Sequence, residues 1–120
     1  MKQVFTKARN RRGMVYPAQP TKYAVDINKA KDLIAIYEDG KCTARFNLGD
    51  TAEYNSYNLR YLGKIIQISA NTVTIEEPYN MYGQPHGRRH RLDMNEFCWR
   101  NSGFDLAEAN RQNFEESQYI

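Results

Sequence analysis

Arginines and tyrosines cluster in the second half of the chain, and both residue types can hold an anionic polymer. Arginine neutralises phosphate groups, and a tyrosine ring stacks on nucleic-acid bases without demanding a particular sequence. The candidate binding residues of this part are Arg88, Arg89, Arg91, Tyr79, Tyr82, Tyr57 and Arg60. Two alternatives remain: the tyrosines cover sheet edges while the arginines face solvent, or the same surface binds a protein.

A second basic segment opens the chain. Between Met1 and Lys22 the sequence has six basic residues and no acid, namely Lys2, Lys7, Arg9, Arg11, Arg12 and Lys22. From Asp93 onward, six acids face two arginines. This asymmetry favours an anionic partner at the basic end, with Arg11 and Arg12 as further candidate contacts. The alternative is that the two ends lie together and balance each other.

Histidine and cysteine are too sparse to indicate catalysis. His86 and His90 have the spacing of zinc ligands, and Cys98 and Cys42 could complete a site. No Cys-x-x-Cys motif supports that site, so the two histidines are weak metal candidates only. Cys98 lies in a short aromatic segment, where a buried, inert thiol is expected. We therefore predict no catalytic residue, no metal and no cofactor, and a protein that is not an enzyme.

The end of that aromatic segment carries Trp99 and Arg100, two residue types that are enriched at binding hot spots. We expect this Trp, the only one in the chain, to pack into the main core beside Phe97 and Leu92. The role of Arg100 stays open.

An antiparallel hairpin is the firmest structural prediction. Residues 61–69 and 72–76 alternate apolar and polar side chains and are rich in β-branched residues. Ile66 and Ile68 are expected on the same face as Val73 and Ile75. Further strands are predicted at 42–46, 51–54 and 88–92, with a long loop over 78–87, so that residues 42–92 form the β core.

Helices are predicted on both sides of this core. Apolar residues at helical spacing indicate a helix between Asp26 and Gly40. Either Asp26 or Asn28 could cap its start. A rival interpretation pairs Leu33–Tyr37 with Cys42–Phe46 around an Asp-Gly turn. After the sheet, residues 93–116 predict two short helices, the first capped by Asp93 with Glu96 and the second starting at Leu106. Residues 1–22 are expected to be irregular, although Val4–Thr6 and Met14–Tyr16 are short enough for edge strands.

The predicted fold is therefore a single α+β domain over residues 1–120. A small, strongly bent antiparallel sheet or SH3-like barrel has one helix before it and two short helices after it. The apolar fraction of 41% and the charged fraction of 26% are those of a globular protein. No apolar run suits a membrane span or a signal peptide, so the cytoplasm is the expected compartment, without membrane contact.

Two resemblances add to these inferences. The segment Phe46-Asn47-Leu48-Gly49-Asp50-Thr51-Ala52, with 61–65 and 72–75, resembles the opening strands of SH3-like small barrels of the KOW and Tudor kind. The chain, ending in Arg91-Leu92-Asp93-Met94-Asn95-Glu96-Phe97-Cys98-Trp99-Arg100-Asn101 and an acidic tail, also resembles small bacteriophage-encoded proteins. The second resemblance implies a viral origin and action in the host cytoplasm.

These observations together predict a small non-enzymatic binding or inhibitory module. The resemblance to phage proteins implies that it is directed at a host defence or nucleic-acid-processing protein. The alternative is an SH3-like domain that binds nucleic acid directly through a basic, tyrosine-rich surface. The oligomeric state does not follow from the sequence.

Overall fold

The structure, a computed structural model, describes residues 1–9, 15–56, 59–77 and 87–105, with the backbone alone at 6–9, 15–21, 55–56 and 59–60. Eight strands and one helix follow each other in this part of the chain. They are β1 (Lys2–Arg9), β2 (Val15–Ile27), β3 (Leu33–Glu38), β4 (Lys41–Asn47), β5 (Thr51–Ser56), β6 (Leu59–Ile68), β7 (Thr72–Glu76), β8 (Arg89–Asp93) and α1 (Met94–Asn101).

The strands form two four-stranded antiparallel sheets in simple chain order, β1-β2-β3-β4 and β5-β6-β7-β8. One hydrophobic cluster joins side chains from both sheets and from α1. Phe46 of β4 packs edge-on against Phe97 of α1, with ring centroids 5.5 Å apart. The helix therefore helps to close the shared core, and it is far too short to span a bilayer. Within the described residues no helix is long and apolar enough to do so.

The predicted α+β class is wrong, because the described chain is mostly β with a single helix. The helix predicted over Asp26–Gly40 is instead the end of β2, a turn, β3 and the start of the β3–β4 hairpin. Asn28 is not a helix cap: its side-chain oxygen accepts bonds from the backbone N–H of Asp32 and Leu33 and so builds the turn. Asp39 and Gly40 have φ of 51° and 84°, as a tight hairpin turn requires. The cross-strand pairing of 33–38 with 41–47 overrides helical spacing.

The N-terminal 22 residues, expected to be irregular, contribute to two long strands. β3 pairs with β2 only from Tyr23 to Ile27. The preceding part of β2 pairs with β1 alone, from Phe5↔Pro20 to Arg9↔Val15. Residues 5–9 and 15–21 thus extend past β3 as a two-stranded ribbon, here called the β1–β2 arm. At about 3.3 Å per residue, the arm is roughly 20 Å long.

The predicted hairpin at 61–76 is confirmed as β6 and β7, although its apolar face differs by one residue. Ile65 and Ile68 are buried in the core, and Ile66 is only partly buried. A register shift between Ile65 and Gln67 marks a β-bulge, which breaks the strict alternation on which the prediction relied. Gly63 of β6 has no room for a side chain, since a Cβ would lie 2.7 Å from the Glu76 carbonyl oxygen.

The strand and capped helix predicted after the long loop are confirmed as β8 and α1. The Asp93 carboxylate accepts a bond from the Glu96 backbone N–H at 2.8 Å, as the capping pattern predicts. The second C-terminal helix, predicted from Leu106, and most of the predicted 78–87 loop lie outside the described residues.

Candidate binding surfaces

The arginines of β8 lie on the outer face of the second sheet. Arg89 and Arg91 alternate along the strand with Leu92, which points into the core, and both arginines are exposed. Lys64, Glu76 and Arg89 occupy neighbouring register positions on three strands. The Arg89 Nε lies 3.1 Å from a Glu76 carboxylate oxygen. The Arg89 side chain is largely exposed and that of Glu76 is mostly buried, so the guanidinium stays accessible to a second anion while it is paired.

An aromatic stack occupies the other side of the same sheet. The Tyr54 ring lies 4.4 Å from the His90 ring and 5.7 Å from the ring of Tyr61. His90 also bonds through Nε2 to Glu77 at 2.8 Å. Burial, followed by the negative charge of Glu77, raises the pKa of the Tyr54 hydroxyl to about 12. Tyr61 remains 41% exposed at the rim of the stack.

Strand register therefore places the exposed arginines and the aromatic stack on opposite faces of the second sheet. His90 and the stacked tyrosines share one face, whereas Arg89 and Arg91 project from the opposite face. Arg88, just before β8, is exposed and its carbonyl oxygen accepts a bond from the Glu77 N–H. Tyr57, Tyr79 and Tyr82 lie outside the described residues, and Arg60 is described by its backbone alone, so their part in a basic surface stays a prediction.

The weak metal candidates are not brought together among the described residues. His90 is engaged by Glu77 and Tyr54, and His86 lies outside the described part of the chain. The two cysteines also differ in placement, since Cys42 is exposed on β4 and Cys98 is buried in α1. The described residues include no group of three or more His, Cys, Asp or Glu side chains suited to hold a metal ion.

The β1–β2 arm contains two basic residues and no acid. Lys7 and Arg9 belong to its first strand, and residues 10–14, which contain Arg11 and Arg12, lie outside the described residues. The first acid of the chain is Asp26, beyond the arm. The basic charge is evident in the sequence but the arm is not, because two prolines disfavour strands of eight and 13 residues in this segment.

The base of the arm is anchored in the body of the protein. Val4 and Tyr23 are buried in the core, and the Gln3 side chain donates to the Tyr23 carbonyl oxygen at 3.0 Å. Lys22 pairs with Glu38 at 2.8 Å, which raises the pKa of the lysine. The same Glu38 accepts a bond of 2.9 Å from the Ser102 hydroxyl, at the end of α1. Hydrogen bonds from Lys22 and Ser102 lower the pKa of the Glu38 carboxyl.

Trp99 is not in the core, and the prediction that it packs there is wrong. The side chain is 63% exposed, and the Arg100 guanidinium carbon lies 5.0 Å from its ring centroid. Arg100 is in turn fixed by Glu96, with Nε and the carboxylate oxygen 3.1 Å apart. The sequence did contain a signal for this placement. The buried positions 94, 97, 98 and 101 follow helical spacing and leave position 99 on the opposite side.

Asn101 takes a buried position in place of an apolar residue. Its Oδ1 accepts from the Glu53 N–H at 2.8 Å, and its Nδ2 donates to the carbonyl oxygens of Glu53 and Phe97, both at 3.1 Å. β5 is an edge strand of the second sheet. The Asn101 amide therefore satisfies the backbone N–H and carbonyl oxygen of Glu53, which none of the described strands pairs on this edge of the sheet. The same bonds attach α1 to β5.

Comparisons of this chain with protein-family models, with curated proteins and with solved structures find no match. Its function is consequently argued from the surfaces described above.

Proposed function

We propose that this chain is a nucleic-acid-binding module whose principal contact is the β1–β2 arm. One observation carries the proposal. A two-stranded ribbon extends past β3, and the first 25 residues of the chain, which include this ribbon, contain basic side chains and no acid. Like charges on a narrow ribbon repel one another, and a phosphate backbone relieves that repulsion while releasing counterions.

The outer face of the second sheet offers a second, weaker set of contacts. Lys64, Arg89 and Arg91 are exposed there, and the same face carries the acids Glu76 and Asp93. Side chains of this kind position a phosphate backbone without reading its sequence. This proposal retains the direct nucleic-acid-binding alternative of the sequence analysis but moves its centre to the arm.

The test is a fluorescence-anisotropy titration with labelled oligonucleotides at several salt concentrations. The unaltered protein should bind with an affinity that falls steeply as salt rises. Lys7→Gln combined with Arg9→Gln should weaken binding and lower the slope of log K against log salt by about 2, one for each phosphate contact removed.

Lys29→Gln combined with Lys41→Gln is the matched control, because it removes the same charge from exposed positions outside the arm. That pair should change the salt slope by less than half as much. Equal losses in the two double variants would show a non-specific effect of net charge. Binding that ignores salt would contradict the proposal.

A second candidate, a protein-binding or inhibitory module, is favoured by the exposure of Trp99. Residues 93–105 carry three acids, Asp93, Glu96 and Asp105, against the one basic residue Arg100, a balance of charge that suits a basic partner. A complex of this kind would survive nuclease treatment and would be lost in Trp99→Ala. It would persist in the Lys7→Gln/Arg9→Gln variant, which separates the two candidates.

A further inference from the structure

We propose that the outer edge of strand β8 binds an extended acidic peptide, which adds a further strand to the second sheet. The proposal goes beyond the proposed function, since it concerns another surface and a peptide in place of nucleic acid. When a peptide adds a strand to an open sheet edge, backbone hydrogen bonds hold it and the side chains on both strands select it.

The backbone N–H and C=O groups of Arg89 and Arg91 point away from β7. The Glu77 N–H donates to the Arg88 carbonyl oxygen at 2.9 Å, which makes this a hydrogen-bonded pair of the β7–β8 ladder. Hydrogen-bonded and non-bonded pairs alternate in an antiparallel ladder, so His90 also bonds to β7, whereas Arg89 and Arg91 turn their backbone groups outward. Among the described strands β7 is the only neighbour of β8, so an added strand can bond to these groups.

Two other edges of the sheets are closed by side chains, and β8 differs from them. On β4, the Asn47 N–H donates to the Asp50 carboxylate at 2.8 Å, and the Asn47 carbonyl oxygen accepts from the Asp50 N–H at 3.0 Å. On β5, the Asn101 amide binds both backbone groups of Glu53. In the described part of the chain no comparable contact reaches the outward groups of β8. This edge therefore lacks the protection that the other two have.

The side chains along the edge select an acidic strand. Arg89 and Arg91 are exposed, and the Arg89 side chain keeps 71% of its surface in solvent although it pairs with Glu76. Asp93, the acid of this strand, is already engaged, because its carboxylate caps α1. Residues of an added strand that lie opposite the two arginines share their face of the sheet, so carboxylates at these positions can pair with the guanidinium groups.

Charge and hydrogen bonding disfavour the other occupants of this edge. Full antiparallel overlap with the β8 strand of a second copy would place Arg91 opposite Arg91, and like charges in direct opposition destabilise a sheet. A phosphate backbone offers acceptors alone, so it would leave the outward carbonyl oxygens of Arg89 and Arg91 without donors. A peptide backbone supplies both donors and acceptors, and its acidic side chains match the arginines.

Amide hydrogen exchange followed by NMR tests the mode of contact. The probe is the peptide acetyl-Glu-Val-Glu-Val-Glu-Val-Glu-amide, in which acids alternate as the arginines of β8 do. We expect the N–H groups of Arg89 and Arg91 to exchange about tenfold more slowly in the complex, because they gain bonds to the peptide. The N–H of His90, which already bonds to β7, is the internal control and should change less. Unaltered exchange at both arginines in the complex would overturn the proposal.

Two N-methylated forms of the peptide separate strand addition from simple charge attraction. One carries methyl groups on the amide nitrogens of all its glutamates, and the other on those of all its valines. Only one of these two sets of N–H groups faces β8 in an added strand, so one form should lose binding and the other should keep it. Equal affinities of the two forms would show that backbone bonds are not made and would overturn the proposal.

Variants of the protein test the role of the arginines. Arg89→Gln combined with Arg91→Gln should weaken peptide binding about tenfold in a fluorescence-anisotropy titration. Lys7→Gln combined with Arg9→Gln removes the same charge from the β1–β2 arm and should leave peptide binding unchanged. Equal losses in the two double variants, or no peptide binding at low salt, would overturn the proposal. Neither result bears on oligonucleotide binding by the arm, which its own titration tests, and circular dichroism on each variant confirms that the fold is retained.

Discussion

The two sides of helix α1 reverse the usual relation between polarity and burial. On the inner side, the amide of Asn101 is fully buried beside Phe97 and Cys98. On the outer side, Trp99 has 63% of its surface in solvent. The difference shows that an asparagine belongs inside when an edge strand and the helix supply three bonding groups, whereas an indole stays outside when the helix turns it away from the core.

This contrast separates residues that hold the fold from residues available to a partner. Truncating a buried side chain should lower stability, because the groups that it contacts lose their partner and are not hydrated in its place. Removing the outer residue should leave stability almost unchanged. Three measurements of the free energy of unfolding, from the largest expected effect to the smallest, test the comparison.

Asn101→Ala should have a larger effect than the changes at Cys98 and Trp99. The substitution leaves the N–H and the carbonyl oxygen of Glu53 without the amide that binds them inside the protein. An unsatisfied buried polar group costs about 1–3 kcal/mol, so we expect a loss of roughly 2–4 kcal/mol. Urea unfolding followed by circular dichroism measures it.

Asn95→Ala, the same substitution elsewhere on α1, is the control and should change stability by less than about 0.5 kcal/mol. Equal effects at the two positions would mean that the clamp between α1 and β5 contributes nothing to stability.

Cys98 should make stability depend on alkaline pH. Burial raises the pKa of its thiol from 9.0 to about 12, and Asp93 adds to the effect. Between these two values the unfolded chain loses the proton and the folded chain keeps it, so stability is full below pH 9 and falls as the pH rises. From pH 8 to pH 10, Cys98→Ala should lose roughly 1 kcal/mol less than the unaltered protein.

Cys42, the exposed thiol on β4, supplies the matched comparison. Cys42→Ala should still lose stability between pH 8 and pH 10, because the buried Cys98 thiol remains. Identical slopes for Cys98→Ala and Cys42→Ala would contradict the protected state of the Cys98 thiol.

Trp99→Ala should have the smallest effect on folding, within about 0.5–1 kcal/mol, since it removes an exposed ring and one cation–π contact. Phe97→Ala, two residues away and fully buried, should cost about 3–5 kcal/mol. Because Trp99 is the only tryptophan, acrylamide quenching of its emission also tests its exposure in the folded protein. Losses of equal size at 97 and 99 would refute the assignment of Trp99 to the outer side.

The accuracy of sequence interpretation differed between local and non-local features. The β6–β7 hairpin and the Asp93 cap were predictable, because alternation and capping involve residues close together in the chain. The bulge at Ile66 was not, because an unpaired extra residue has no fixed signal in the alternation. At 33–47 the sequence suited both a helix and a hairpin, and pairing with β2 stabilised the hairpin.

The candidate surfaces follow the same division. The excess of basic residues near the N-terminus can be read directly from the sequence, without knowledge of the fold. The projection of that segment as an arm depends on where β3 stops pairing with β2, which no local pattern reveals. The separation of Arg89 and Arg91 from the Tyr54–His90 stack likewise depends on strand register.

Charge content, the hairpin at β6–β7 and the start of α1 were thus encoded in short stretches of sequence. The two-sheet architecture, the arm, the burial of Asn101 and the exposure of Trp99 were decided by tertiary structure. The physical reason is that these features depend on hydrogen bonds and packing between residues far apart in the chain, such as Glu53 with Asn101. Those interactions outweigh local propensities, which differ by only about 1 kcal/mol per residue.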